Sequence, residues 1–334
     1  FLWWENAAVP VNEQYELFFP PDVHYVQFHY RKNVTSFPIA KGIYNGIRMG
    51  EGKDIRLHKN TRQPTSYFCA GSHYDFFGGY DNGKQAGVVH IADHTVSVGK
   101  KMFTWAYNQL SRSWERALTD TDGMYAELMA SSYSLNQPDF TWLNPYEEKS
   151  FTQSWYPIAK IGAPVCATLD AAVSVHEKAL MVQATRAMNA AITVNGRRFE
   201  MALLPGRPES IAWDEAVSSI VIEENGRTVL RYVPAQERPE PTPDTLPDNP
   251  ALDRLRSAQE CYLAGVHAAQ YRDPAISADK YFAEALRRDP EFAPAHQEMA
   301  RYLYDHFFDE EALTHALKAW SIETQFNFHP LSGD

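Results

Sequence analysis

Between Asp120 and Ile158 the chain writes out a strand, a long polar loop and a second strand. Tyr125, Glu127 and Met129 fall on one face of the first strand and Ala126 and Leu128 on the other, because strand side chains alternate with a period of two. Glu127 is therefore a carboxylate set among apolar neighbours. Ser131 to Asp139 is dense in Ser, Asn, Gln, Pro and Asp, the composition of a binding loop carried on a scaffold. After Asn144-Pro145-Tyr146, Ser150 to Trp155 is expected to run back as the second strand.

Elsewhere in the first half, strand pieces and turns alternate. Tyr15 to Pro64 carries short apolar runs, Val23 to His29 among them, punctuated by Gly42, Gly46, Gly50 and Gly52. Tyr67 to Gly71 leads into Phe76-Phe77-Gly78-Gly79-Tyr80. Asn82-Gly83 then predicts a tight hairpin, and Gly87 to His94 returns as a strand. The glycine pair suits close backbone approach or a bend, as the floor of a cleft requires. Gly99 to Trp105 enters a further strand, Ser111 to Leu118 predicts a short helix, and Asp120 to Gly123 reads as a turn lacking full EF-hand spacing.

Past Pro157, Asn195-Gly196 and Asn225-Gly226 sit between β-rich runs and predict two hairpins of a small antiparallel sandwich. Residues 234–250 hold six prolines and four acidic side chains, a stiff linker. Beyond it the period becomes helical. Ala278, Phe282, Ala285 and Pro290 fit the tetratricopeptide pattern A-x3-F-x2-A-x4-P, and Ala312 and Ala319 repeat its alanines 34 residues on. Leu252 to Gln270 supplies the preceding helix, with Gly265 near the small-residue position. Such helices pack closely only where side chains are small.

Composition narrows the function. A net charge of −11 with no basic stripe argues against nucleic acid. No run of eighteen apolar residues is present, so no membrane span is expected, and neither is a signal peptide. Cys69, Cys166 and Cys261 are odd in number, far apart and without metal-ligand spacing, which favours reduced thiols in a cytoplasm and makes structural zinc unexpected. Six of the eight tryptophans lie in the first half. Aromatic faces suit sugar rings, whose C–H bonds pack on a π surface while hydroxyls seek polar groups at the edge; the plainer reading is that they fill a sandwich core.

His24, His29 and His58 are scattered and read as surface or loop histidines. His90 and His94 share a strand face about 13 Å apart, too far for one metal unless the strand breaks. No metal and no cofactor are expected. Lys100 and Lys101 read equally as sugar or carboxylate partners and as a solvated turn.

The order Glu127, then Asn136-Gln137-Pro138-Asp139, then Leu143-Asn144-Pro145-Tyr146-Glu147 resembles the galactose-mutarotase superfamily of β-supersandwiches, where a catalytic Glu precedes such a loop and turn. More closely, the chain resembles the bacterial DUF5107 family, a sandwich followed by tetratricopeptide repeats, on Asp75-Phe76-Phe77-Gly78-Gly79-Tyr80, His90-Ile91-Ala92-Asp93-His94 and Gly99-Lys100-Lys101-Met102-Phe103-Thr104-Trp105. The resemblance implies a multidomain chain, mainly β plus α: the later part of a mutarotase-like supersandwich over 1–162, a small sandwich over 163–233, the linker 234–250 and repeats over 251–330. It departs at Leu2-Trp3-Trp4-Glu5-Asn6-Ala7, where mutarotases carry a catalytic histidine and this chain has none. Their chemistry needs an acid at the ring oxygen as well as a base at the anomeric hydroxyl.

Two functions are expected from these residues. One is a carbohydrate-active enzyme, epimerase-like or glycosidase-like, with Glu127 as general acid or base, His73, Asp75 and His94 beside it, and Trp4, Asn6, Lys101, Trp105, Tyr133, Asn136, Gln137 and Asp139 binding the sugar. A glycosidase needs a second carboxylate about 5–9 Å away, for which Asp75 or Asp139 stands ready. The other is a non-catalytic sugar-binding scaffold. In both, the repeats meet a protein or peptide partner, and neither nucleic acid nor membrane is involved.

Overall fold

The computed structural model describes residues 4–28, 34–69, 71–132, 143–234, 249–271 and 277–326. They form two compact units, Phe1–Thr245 and Leu246–Asp334. In chain order the first begins with β1 (Glu5–Pro10), β2 (Tyr15–Phe18), β3 (Tyr25–Gln27) and β4 (Val34–Ser36). Short strands β5 (Ile39–Ala40), β6 (Ile43–Tyr44), β7 (Ile47–Arg48) and β8 (Lys53–Asp54) follow, then β9 (Thr65–Cys69), β10 (Phe76–Asp81), β11 (Ala86–Ala92), β12 (Gly99–Thr104), helix α1 (Gln109–Leu118), β13 (Tyr125–Ser131) and β14 (Gln153–Ala159).

Two antiparallel sheets organise these strands: a six-stranded one in the order β1-β13-β12-β9-β3-β4 and a four-stranded one in the order β14-β11-β10-β2. Their facing sides enclose Leu17, Val26, Tyr67, Phe77, Met102, Ala126, Leu128 and Ala130. In β13 the expected alternation holds, with Ala126, Leu128 and Ala130 fully buried and Tyr125, Glu127 and Met129 only partly so.

The four-stranded sheet is covered on both faces, which is why β10 reads as an unbroken buried run. Phe77 belongs to the core shared with the six-stranded sheet, and Phe76 and Tyr80 belong to the core behind. The Gly78-Gly79 pair is not a cleft floor. A Cβ on Gly78 would strike the Val88 carbonyl at 2.1 Å and the Phe18 ring at 2.6 Å, and one on Gly79 would strike the Tyr15 hydroxyl at 1.7 Å. Bare backbone there makes room for two aromatic rings.

Three local expectations need correction. The strand after the polar loop spans Gln153–Ala159 rather than Ser150 to Trp155, and it joins β11 in the other sheet, with Trp155 opposite His90. The β10–β11 hairpin exists, yet Asn82-Gly83 is not a two-residue turn. Asp81 accepts the N–H groups of Gly83 and Lys84, and Gln85 takes the left-handed position with φ 53°, so four residues close the loop. Finally, β11 ends at Ala92, so His94 leaves the strand and the spacing estimate for His90 and His94 does not apply. The short helix is present, and its Asn108 side chain caps it by accepting from the Ser111 N–H at 2.8 Å.

The small sandwich comprises β15 (Cys166–Ala167), β16 (Ala171–His176), β17 (Ala179–Ala184), β18 (Met188–Val194), β19 (Arg197–Leu203), β20 (Glu209–Ala212), β21 (Ile220–Glu224) and β22 (Arg227–Tyr232). They form two four-stranded sheets, β15-β16-β17-β20 and β19-β18-β21-β22. Asn195-Gly196 and Asn225-Gly226 turn its hairpins with positive φ at both residues, as the sequence requires. The core between these sheets is continuous with the outer face of the four-stranded sheet before it: Phe76, Val89, Ile91 and Ile158 pack with Val173, Leu180, Ile192 and Ile222.

The second unit contains α2 (Ala258–Tyr271), α3 (Asp279–Arg288), α4 (Ala293–Asp305) and α5 (Asp309–Thr324), two helix hairpins. Pro290 lies in the connection between α3 and α4 and interrupts neither. Ala278, Phe282, Ala285, Ala312 and Ala319 are all buried. Gly265 in α2 carries the Phe282 ring, which would lie 2.6 Å from an added Cβ. The repeat's small residues thus mark where its helices touch. Residues 235–248, most of the expected linker, lie outside the described residues.

Candidate functional site

The side of the six-stranded sheet that faces away from the core is where Glu127 sits. Its strand partners are Ala8 on β1 and Phe103 on β12. Two residues along, Met129 is flanked by Asn6 on β1 and Lys101 on β12, and Lys101 faces Phe68 on β9. Alternation therefore collects Asn6, Glu127, Met129, Lys101, Phe103 and Phe68 on one surface. The Asn6 side-chain amide donates to Glu127 Oε2 at 2.6 Å, a charge-assisted bond at a partly exposed position.

Aromatic rings frame this carboxylate. Trp4 lies edge-on to Phe68 with centroids 6.0 Å apart, and its ring comes within 3.1 Å of where a Cβ on Gly99 would stand, so Gly99 admits it. Trp105 packs edge to face on Phe103 at 5.2 Å, stacks on Trp114 at 5.5 Å, and donates its indole N–H to the Tyr125 hydroxyl at 3.0 Å. The expected Trp4, Asn6, Lys101, Trp105 and Glu127 thus share one sheet face.

Lys101 is 1 % exposed, with Nζ 4.2 Å from the centre of the Trp4 ring. Burial pulls its pKa down to about 7, and the charge of Glu127 works the other way. Its neighbour Lys100 is equally buried but points to the opposite face of the strand. Burial lowers its pKa as well, opposed by Cys69, Asp75 and Asp22. Consecutive lysines therefore feel different carboxylates, Glu127 on one side of the sheet and Asp75 and Asp22 on the other.

His73, Asp75 and His94 do come together, but apart from Glu127. Asp75 Oδ1 accepts the backbone N–H of His94 at 2.9 Å and lies 2.8 Å from its ring Nδ1. The His73 ring is edge-on to His94 at 6.2 Å, and its backbone N–H donates to Asp22. Among the described residues no hydrogen bond, ion pair or ring contact joins this group to Glu127. The expectation that one of the three lines the Glu127 face is corrected accordingly, since Asp75 sits on the Lys100 side. Asp75, Asp93 and His94 offer ligand-type atoms within 4.8 Å of one another; internal hydrogen bonds to His94 and Thr95 already occupy the two carboxylates.

Tyr133, Asn136, Gln137 and Asp139 lie outside the described residues. Sequence reasoning missed Phe68 and Phe103; the odd-numbered alternation of Gly99, Lys101, Phe103 and Trp105 was the signal that held Phe103. His90 is no ligand on an open face: it is buried between Phe77 and Trp155 and within 2.9 Å of Gln153 Oε1. The three cysteines are free and buried. Among the described residues no helix is long and apolar enough to cross a membrane.

Antiparallel sheets carrying the Glu127 face, followed by helix hairpins with buried alanines, define a β-sandwich protein with an α-helical repeat unit. Residues 1–158 match the model of the family described as "Domain of unknown function (DUF5107)". Among solved structures, a TPR-domain containing protein from Parabacteroides distasonis is similar at 16% identity with a TM-score of 0.37, over 94% of this chain and 48% of that one. The chain thus spans about half the length of that protein.

Proposed function

We propose that the outer face of the six-stranded sheet binds a carbohydrate, with Glu127 accepting its hydroxyl protons and serving as general acid or base. The observation that carries this reading is the Asn6–Glu127 hydrogen bond set among Trp4, Phe103, Trp105 and Tyr125. A carboxylate oriented by an amide, with aromatic rings around it, matches the two demands of a sugar: π faces for its C–H surface and polar groups for its hydroxyls. The overall acidity of the chain fits a neutral ligand better than an anionic polymer. A glycosidase reading loses one of its two candidates, because Asp75 belongs to the group around His94.

A second reading, a sugar-binding scaffold without turnover, draws on the helical unit. Tyr304, Leu313 and Trp320 are exposed and border a cavity of about 930 Å³ that also meets Val266 on α2. Such a surface suits a protein or peptide partner. Isothermal titration with neutral mono- and oligosaccharides, followed by product analysis, tests both readings. Glu127→Gln keeps the shape and removes the titratable group; an enzyme loses turnover and keeps binding, whereas a binder changes affinity modestly. A protein that binds none of the saccharides contradicts both.

A further inference from the structure

Within the helical unit, α4 packs against both helices of the hairpin before it. Phe292 at its start is edge-on to Tyr262 of α2 at 5.5 Å. Ala295 is buried with Cys261 of α2 and Ala285 of α3, and Met299 with Ala268 of α2 and Phe282 of α3. Phe292, Ala295 and Met299 recur at i, i+3 and i+7, the stripe by which an amphipathic helix buries one face. One period on, the matching surface of α4 and α5 lies open to solvent. Ala312, Ala316, Ala319 and Trp320 stand 34 residues after Ala278, Phe282, Ala285 and Leu286, and Ala300 stands 34 after Val266. All five border the cavity of about 930 Å³. Trp320 is 64 % exposed, whereas Leu286 is partly buried against α4.

We propose, resting on the reading of the helical unit as a partner surface, that the groove between α4 and α5 docks an amphipathic helix of another protein, one with an aromatic side chain at its centre and basic residues toward its ends. The way α4 seats on α2 and α3 sets the shape of the occupant, a helix that approaches closely over alanines. Two substitutions within the repeat set its size. Phe282 of the first hairpin becomes Ala316 in the second, and Val266 becomes Ala300, so this groove is deeper than the one α4 fills by about a phenyl ring and an isopropyl group. A methionine reaches the floor of the first groove on Phe282; an aromatic ring is needed to reach the floor of the second, since a gap left there forfeits the contacts that packing provides.

Charge identifies the rest of the partner. Arg301 on the groove wall is held by Glu298 in an ion pair. Asp309 and Glu323 border the same cavity, about 21 Å apart along α5 at 1.5 Å per residue. A helix lying along α5 with a lysine or arginine near each end meets both. A second copy of the chain brings Asp309, Glu310, Glu311 and Glu323 of its own α5 to this face, and like charges brought together in an interface are costly. The groove therefore fits a basic partner better than itself.

The test titrates the full chain with fluorescein-labelled helical peptides, read by anisotropy. The first peptide repeats the α4 stripe with Phe, Ala and Tyr at the spacing of Phe292, Ala295 and Tyr302, places Phe where α4 has Met299, and carries lysines at both ends. A second restores Met at that position, and a third exchanges the lysines for glutamates. The first is expected to bind, more weakly as salt rises, and the glutamate peptide about tenfold or more weaker. Trp320→Ala should cost about thirtyfold, and Asp309→Asn with Glu323→Gln should flatten the salt dependence. Ala316→Phe rebuilds the floor of the first groove and should reverse the preference, so that the Met peptide binds better than the Phe peptide. Ala316 is exposed, and circular dichroism checks that the variant keeps its helices; if it does not, the charge variants and the glutamate peptide carry the test. A wild type that binds none of the peptides, binds lysine and glutamate peptides alike, or keeps its preference in a folded Ala316→Phe overturns the proposal. Self-association in sedimentation that Trp320→Ala abolishes, without peptide binding, overturns the basic helix in favour of a second copy and leaves the partner-surface reading standing. Neither peptide binding nor self-association removes that reading as well.

Discussion

The side-chain amide of Asn6 reaches the carboxylate of Glu127 at 2.6 Å across 121 residues of sequence. The register of β1 on β13 makes the contact possible, since Asn6 stands opposite Met129, two residues from Glu127 on the same face. Removing the amide in Asn6→Ala leaves Glu127 untethered but partly hydrated, so stability should fall by no more than about 1.5 kcal/mol. Sugar affinity should drop about tenfold, roughly 1.4 kcal/mol. Thermal unfolding and titration calorimetry on one preparation read both effects.

Acid should weaken the β-rich unit through its buried histidines. Burial brings the pKa of His90 down to about 4, with Lys100 adding to the effect and the Gln153 hydrogen bond opposing it; burial does the same to His58. In the unfolded chain a histidine titrates near 6.5. The unfolded state therefore binds the extra proton first, and the stability that neutral His90 confers is full above about pH 6.5 and lost as the pH falls toward 4. Roughly 2–4 kcal/mol is at stake for each residue. Denaturant titrations at several pH values should show His90→Asn with a shallower decline than the wild type over that window.

In the helical unit the same logic concerns His315, whose pKa is lowered by burial and by His296, its ring neighbour with Nδ1 atoms 2.8 Å apart. His296 Nε2 lies 3.1 Å from the Pro290 carbonyl and donates to it when the ring is neutral, so its Nδ1 accepts from His315. Protonation below about pH 6.5 favours the unfolded form. His315→Asn should flatten the pH dependence of melting followed by far-ultraviolet circular dichroism.

Packing makes sharper predictions at two glycines. Gly265→Val forces a branched side chain into the Phe282 ring and should cost the helical unit about 1–3 kcal/mol, more than any gain in helix propensity over glycine. Gly78→Ala meets the backbone carbonyl of Val88, which cannot swing away, as well as the Phe18 ring. Its loss should be at least about 3 kcal/mol in the β-rich unit. Equilibrium unfolding of the two variants, monitored separately for β and helical signals, checks both.

Local patterns were legible where one rule governed them. The two-residue period of β13 announced which side of Glu127 was buried, Asn195-Gly196 and Asn225-Gly226 met the positive φ of their turns, and Pro290 marked the break between α3 and α4. Long-range pairing was not legible. Nothing between Ser150 and Trp155 declares that β14 crosses to the other sheet, because strand alternation carries no partner label. The same limit grouped His73, Asp75 and His94 with Glu127, when Lys100 and Lys101, adjacent in sequence, send their charges to opposite faces of the sheet. Asn82-Gly83 failed as a turn signal because the Asp81 side chain captured the N–H groups that follow it.

The most direct test of the carbohydrate face is a crystal structure of the protein with the tightest-binding saccharide from the calorimetric panel. The sugar should lie on the outer face of the six-stranded sheet, with a hydroxyl within about 3 Å of Glu127 and a ring face against Trp4 or Trp105. A sugar seated elsewhere, beside His73 and His94 or among α2, α4 and α5, with the Glu127 face untouched, would contradict the account.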